Sequence, residues 1–261
     1  MEGKKNWPYW SALQNLVLKD FRVRYRNMSL GILWSLINPL VMMGVLVFVF
    51  TVVYPNRGTQ HFPVFILIGL LSFNHFSLCL NSMTTSLIEN SQILKKTNFP
   101  RILLPLSVLL SQTLHALIQF ALLLIFLVIF KVPWSIHALW YPLAFVVQFV
   151  FTLGVGLLCA TLCVLFRDTL YLVQSILTVL FWFSPVFYAL SVVKEKLPHG
   201  LYLAYLLNPL AGIIDAGRCA LLTHQPPDAV AFGSALASSL VFLAVGWAYF
   251  HRYQMLITDR L

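Results

Sequence analysis

Six stretches of this chain run without an Asp, Glu, Lys or Arg for the roughly 20 residues that a helix needs to cross a hydrocarbon layer about 30 Å thick. Nothing else in the sequence restricts the fold as strongly. Inside such a layer every backbone N–H and C=O must be bonded by the chain itself, so runs of this kind and length are read as helices. They cover about 30–54, 62–83, 102–130, 139–165, 171–190 and 229–250. A seventh apolar stretch, Leu197 to Ile214, is interrupted by His199-Gly200 and Asn208-Pro209, which an unbroken helix does not tolerate. It reads as short re-entrant or surface helices, about 194–218. The expected fold class is therefore all-α integral membrane: one domain over 29–261 with six transmembrane helices, preceded by an N-terminal interfacial helix in 1–28.

Composition supports this and excludes a soluble globule: 60% of the residues are hydrophobic, 10% are charged, and the mean hydropathy is +0.85. The 17 Lys and Arg outnumber the 8 Asp and Glu, a net charge of +9. In a soluble protein that excess would suggest nucleic acid. Here membrane topology accounts for it, because basic residues concentrate on the cytoplasmic side of apolar spans. With six spans and the N-terminus inside, twelve of the 17 fall inside and five outside, so both termini are expected to be cytoplasmic. The first long apolar run begins near Met28 and is far too long for a signal peptide, so the N-terminus is expected to be kept. Four cysteines, Cys79, Cys159, Cys163 and Cys219, lack zinc-site spacing and read as small hydrophobes.

No G-x-x-x-x-G-K-[ST] phosphate loop and no dinucleotide-binding glycine pattern occurs, so any nucleotide chemistry must come from another chain. No catalytic residues are assigned, since no carboxylate pair or Ser, Cys and His arrangement is specific enough. No metal site is assigned either: His115 stands alone. An intramembrane enzyme would be expected to cluster acidic or His residues at one face, and an ion-coupled carrier to hold an ionisable group in mid-span.

Before the first run, Trp10, Leu13, Val17 and Phe21 share one helical face while Lys19, Arg22 and Arg26 lie off it, the pattern of a membrane-interface helix. It would either anchor the chain or cup a cytoplasmic partner. Between the second and third runs, Ser86 to Arg101 is the richest polar stretch flanked by spans. It has room for about two turns of helix, exposing Glu89 and two lysines, Lys95 and Lys96, with Ile88 and Leu94 as plugs for a groove on a partner. An ordinary loop is the plainer reading. In the third run Ser107, Ser111, Gln112, His115 and Gln119 share a broad face, read chiefly as helix-to-helix hydrogen bonding and alternatively as a polar path. Trp34 in the first run and Phe181, Trp182 and Tyr188 in the fifth are aromatic candidates for lining a path through the membrane, or for lipid contact. Arg167 is a possible contact for an anionic lipid head group, and Asp168 an expected N-cap of the fifth span.

Three stretches carry a family likeness. The first is Lys19-Asp20-Phe21-Arg22-Val23-Arg24-Tyr25-Arg26 running into Leu30-Gly31-Ile32-Leu33-Trp34 and Asn38-Pro39. The second is Leu94 to Pro105 with its Lys-x(3)-Phe-Pro-Arg-x(3)-Pro pattern. The third is Phe166-Arg167-Asp168, then Phe181-Trp182-Phe183-Ser184-Pro185, Asn208-Pro209 and Arg218. In this order they resemble the type-2 ATP-binding-cassette permeases that export polysaccharides, including O-antigen, capsule and teichoic-acid exporters. The resemblance implies a homodimer of six-span subunits in the bacterial inner membrane. Two copies of a cytoplasmic ATPase subunit would drive it and hold the ATP and Mg, leaving this chain without a cofactor. The cargo would be a lipid-linked polysaccharide, most of all O-antigen, with membrane lipid and no nucleic acid as the other contacts. The family's coupling helix maps onto about 86–96, giving Glu89, Asn90, Leu94, Lys95 and Lys96 the docking role. Its external re-entrant helices map onto about 194–218.

Overall fold

The computed structural model describes residues 9–25, 33–53, 61–96 and 99–260, and among these there are helices and no strand. In chain order they are α1 (Tyr9–Tyr25), α2 (Leu33–Phe48) continued by a π-helical turn (Val49–Val53), α3 (Phe62–Glu89) and α4 (Ser91–Lys96). Next come α5 (Leu103–Ile129), a 3-10 turn (Ile136–Leu139) leading into α6 (Trp140–Leu165), and α7 (Thr169–Phe183). After these stand α8 (Leu190–Lys196), α9 (His199–Tyr205), α10 (Pro209–Arg218) with a π-helical turn (Cys219–Thr223), and α11 (Ala229–Arg260). Five helical segments are long and apolar enough to cross a membrane: Leu33–Val53, Phe62–Glu89, Leu103–Ile129, Ile136–Leu165 and Ala229–Leu256. The expected Leu30 to Ile32 and Tyr54 of the first span, and Lys4, Lys5, Arg26 and Arg57 of the charge count, lie outside the described residues.

α3 is the axis of the bundle, buried along most of its apolar length. It packs on α2, α5, α6, α7 and α10, and the main core runs along it through Val64, Ile66, Leu67, Ile68, Phe73 and Phe76. A helix apolar on all sides belongs in such a place. α11 lies along α6, closely enough that a Cβ on Gly154 would collide with the backbone at Phe242 and Leu243, and one on Gly246 with the backbone of Gly154. Small residues of this kind let helix backbones approach where burial in lipid supplies no hydrophobic drive. A second cluster, Leu87, Leu94, Leu104, Leu157, Val164 and Phe250 with Leu16 against it, closes the end of the bundle that carries Lys19, Lys95, Arg101 and Arg167. We refer to it as the basic end, and to the opposite one, built from α8, α9 and α10, as the far end.

Three elements depart from the expectation. The fifth run does not form a helix from Tyr171 to Leu190: α7 stops at Phe183 after 15 residues, about 22 Å of rise. Pro185 is the cause, since proline pushes the preceding residue out of the α region, and Ser184 is extended at φ −86° and ψ 149°. Phe187 and Tyr188 therefore sit in a loop. The second run, expected to end near Met83, continues to Glu89. The separate helix expected over 86–96 is accordingly only the six residues of α4, set off by a turn at Asn90. Finally, α1 packs along α5 with Leu13 8% exposed, whereas Trp10, assigned to the same face, is 69% exposed.

Candidate functional site

At the basic end the α3–α4 corner is held from three sides. The Asn90 side-chain amide donates to the Ser86 carbonyl at 2.9 Å, its oxygen accepts from Lys19 Nζ of α1 at 3.1 Å, and Leu94 is buried against Leu87 and Leu104. Leu94 is thus a packing anchor rather than a plug offered outward, because a six-residue helix has too few internal hydrogen bonds to stand without one. Glu89, Gln92 and Lys95 are exposed on this corner. Lys96 ends α4; its side chain lies outside the described residues. Arg167 is exposed in the turn between α6 and α7. Asp168 occupies the N-cap of α7 as expected, but its side chain makes no capping hydrogen bond there.

At the far end a buried arginine organises the loop after α7. Arg218, 4% exposed, donates Nε to the Phe65 carbonyl at 3.3 Å and Nη1 to the carbonyls of Pro185 at 2.6 Å and Tyr188 at 2.9 Å. Its Nη2 donates to the Val186 carbonyl at 2.6 Å, and its guanidinium lies 3.5 Å from the Phe65 ring centre. Gly69 makes the room: a Cβ there would stand 2.6 Å from the Val186 oxygen and 2.8 Å from Arg218 Nη2. Asn208, the N-cap of α10, accepts from the Leu210 N–H at 3.1 Å and donates to the Ser184 hydroxyl at 3.0 Å. Asp228 binds the first-turn N–H groups of Val230 and Ala231 of α11 and pairs with Lys194 of α8 at 3.2 Å. Together these bonds tie α8 and α10 to the spans.

The aromatic residues singled out from the sequence divide between three places. Trp182 and Tyr188, with Phe183 and Tyr205, line an open groove of about 510 Å3 at the far end. The Tyr188 hydroxyl donates to the Phe183 carbonyl at 2.9 Å and lies 3.1 Å from that of Tyr205. Phe181 packs inward against Phe73, ring centres 5.2 Å apart. Trp34 lines a pocket of about 280 Å3 with Arg24, Ser35, Asn38, Asn74, Ser77, Leu78, His115 and Gln119. Sequence reading missed most of that pocket: Arg24 was counted among the charges that set topology, and Asn74 and Ser77 carried no weight. The available signal was polar residues recurring inside the charge-free runs of α2, α3 and α5.

Ser107, Ser111, Gln112, His115 and Gln119 of α5 are buried, and two of these five reach other helices, as does the half-buried Thr113, whose hydroxyl lies 3.4 Å from His75 Nε2 of α3. Gln112 Nε2 donates to the Ser82 hydroxyl of α3 at 3.1 Å, and Gln119 Nε2 to the Ser35 carbonyl of α2 at 3.1 Å. A parallel link joins α6 to α3, where Gln148 Nε2 donates to the Ser72 carbonyl at 2.7 Å and meets His75 Nδ1 at 3.1 Å. Among the described residues no three His, Cys, Asp or Glu side chains are grouped so as to hold a metal ion.

Comparison with known proteins places these features in a family. Residues 11–222 match the model of the ABC-2 type transporter membrane family. The chain is 31% identical over 242 residues, 93% of its length and 91% of the relative's, to the O-antigen export system permease protein RfbA of Myxococcus xanthus. It is 34% identical over 201 residues, 77% of the chain and 76% of the relative, to an O-antigen export system permease protein RfbA of Klebsiella pneumoniae. The polysialic acid transport protein KpsM of Escherichia coli is 25% identical over 262 residues, 95% of this chain and 96% of its own.

Proposed function

The chain belongs to the ABC-2 type transporter family, and on that premise we propose that it is the membrane-channel subunit of an ATP-driven exporter of lipid-linked polysaccharide, most closely an O-antigen exporter. The observation that carries the reading is the match to an O-antigen export permease over 91% of that protein's length. The weaker match to a polysialic acid transport protein supports a second reading, a capsule exporter, with the same mechanism and a different glycan.

In this reading two copies of the chain form the channel in the bacterial inner membrane, with both termini in the cytoplasm. Two copies of a separate ATPase subunit, which hold ATP and Mg, dock at the α3–α4 corner through Glu89, Asn90, Lys95 and Lys96. Leu94 serves them from beneath. Because Leu94, Leu87, Leu104 and Leu16 share one buried cluster, a push on α4 moves α1, α3 and α5 together. Glycan stacks on Trp182 and Tyr188 in the far groove, while Trp34 and Phe181 belong to the same path nearer the basic end and beneath the groove. Such contacts are worth about 0.5–1.5 kcal/mol each, strong enough to hold a polymer and weak enough to let it slide. Arg167 meets the cargo's anionic head group at the cytoplasmic surface.

Disrupting the gene should abolish surface polysaccharide and leave lipid-linked glycan inside the cell, with wild-type chain restoring export. Normal surface glycan in the disrupted strain would end this reading.

A further inference from the structure

Behind α8, on the side away from the aromatic groove, the far end holds a second cavity, of about 700 Å3. Leu190, Ser191 and Lys194 of α8 face it, whereas Val192, Val193 and Lys196 face the groove, so the helix is a wall between the two. The other walls come from His61 and Phe65 at the start of α3, Tyr202 of α9, Asp215 of α10, Cys219 of its π-helical turn and Asp228 before α11.

Both Lys194 and Arg218, the cations that line this cavity, are engaged. Arg218 is held by four carbonyls, and Lys194 is paired with Asp228, whose carboxylate also accepts from the first turn of α11. Two polar groups remain open. The Tyr202 side chain is 4% exposed, and its hydroxyl has no hydrogen-bond partner. Among the described residues, the Asp215 carboxylate accepts only from the Cys219 thiol, a weak bond at 3.8 Å. Burial, only partly offset by the Arg218 charge, pushes that carboxyl above its ordinary range, and Asp228 adds to the shift. Tyr202 feels the charges of Asp228, Lys194 and Asp215, so the open donor and the open acceptor share one region.

That pairing restricts what fits. A buried hydroxyl without a partner is costly, so an occupant that bonds it is favoured. A phosphate offers acceptors alone and is repelled by Asp215; an ammonium offers donors alone and leaves the phenol proton without an acceptor. A sugar hydroxyl does both, donating to the carboxylate and accepting from the phenol. The volume lies within the range of small-molecule sites and has room for more than one sugar ring.

We propose that this cavity is a saccharide site that takes up an uncharged stretch of glycan at the far end, one hydroxyl donating to Asp215 and accepting from Tyr202. Ser191, Thr223 and Gln225, exposed among the lining residues, serve neighbouring hydroxyls. The proposal rests on the export reading only for the source of the glycan; the hydroxyl chemistry stands on the cavity.

The test uses purified full-length chain in nanodiscs. Cys219 lines the cavity, so its rate of modification by a small methanethiosulfonate, read from peptide mass, reports occupancy. The probes are short oligosaccharides cut from the source strain's surface polysaccharide, a sialic acid oligomer of equal length, and phosphoethanolamine. The surface oligosaccharides should slow Cys219 modification saturably. Asp215→Asn and Tyr202→Phe, each compared with its own unprotected rate, should raise the half-protecting concentration about tenfold, the loss of one hydrogen bond to the occupant. Tyr202→Phe should do so with an unfolding midpoint no lower than wild type, because it removes a hydroxyl that bonds nothing within the chain. No protection by the surface oligosaccharides, or unchanged protection in both variants, would overturn the proposal. Equal protection by phosphoethanolamine would overturn it in favour of a zwitterionic head-group site, and equal protection by the sialic acid oligomer would overturn the assignment of an uncharged glycan. Lost export in a gene disruption together with no Cys219 protection would remove this site and leave the export reading. Protection with normal surface glycan in the disrupted strain would do the reverse.

Discussion

A buried charge is costly unless its surroundings replace the water it has lost, and Arg218 shows how this chain does so with backbone alone. Its partners are the four carbonyls of Phe65, Pro185, Val186 and Tyr188. Three of these belong to a loop whose own backbone, interrupted by Pro185, has no helix to bond to. Arg218→Ala should therefore strand those three carbonyls at about 1–3 kcal/mol each and lower the thermal unfolding midpoint of the purified chain by several degrees or prevent its purification. Arg218→Lys should fall between, since an ammonium cannot span the same fork. Arg218→Ala unfolding with the wild type would show the cage to be incidental. Gly69→Ala should act in the same direction, because its Cβ would occupy the space of the guanidinium. At this scale the sequence was least informative. Arg218 stood out in it only as part of a pattern, for its partners are carbonyls that no residue name reveals. Leu94 and Glu89 looked equally suited to docking until burial separated them.

Elements were more legible, and their misreadings have specific causes. Five apolar spans are plain in the charge pattern because lipid leaves a helix little choice. α7 was overextended because absence of charge was allowed to outweigh Pro185, although the rule for residues before proline was available in the letters Ser184-Pro185. The single helix expected over about 86–96 gives no hint of the corner at Asn90, since nothing in the sequence shows that α3 carries on past Met83. The corrected corner yields a prediction with two arms. Lys95→Glu, on an exposed residue, should leave thermal stability within about 0.5 kcal/mol of wild type while weakening co-purification with the ATPase subunit. Leu94→Asp should lower stability by several kcal/mol, as expected for a charge forced into an apolar cluster. If Lys95→Glu and Glu89→Lys both leave complex formation and export unchanged, the corner is not the docking site. At the α6–α11 contact, Gly154→Leu should prevent close packing and abolish stable expression, whereas the same change at Gly44, which has no neighbour within 4 Å, should be tolerated.

For the whole molecule the decisive question is which end faces which side. α6 ends and α7 begins at Arg167, at the basic end, whereas the residues following Phe183 lie in the Arg218 cage at the far end. α7 therefore connects the two ends, although its 15 residues rise only about 22 Å against a layer of about 30 Å. The extended residues from Ser184 onward, and local thinning of the bilayer, can make up such a shortfall at modest cost. On the proposed count of six crossings, α1 and the end of α11 lie on the side of the basic residues, which the positive-inside rule would make cytoplasmic. Single cysteines at Lys95 and at Lys196, in a chain from which Cys79, Cys159, Cys163 and Cys219 have been removed, test both count and orientation. Both positions are exposed, one on α4 and the other at the end of α8. An impermeant maleimide added to intact spheroplasts should modify the Lys196 position and not the Lys95 position, and inverted vesicles should give the opposite result. Modification of both from the same side would mean that α7 folds back without crossing. Reversed labelling would place the α3–α4 corner outside, where no ATPase could reach it, and docking at that corner would have to be abandoned together with the orientation.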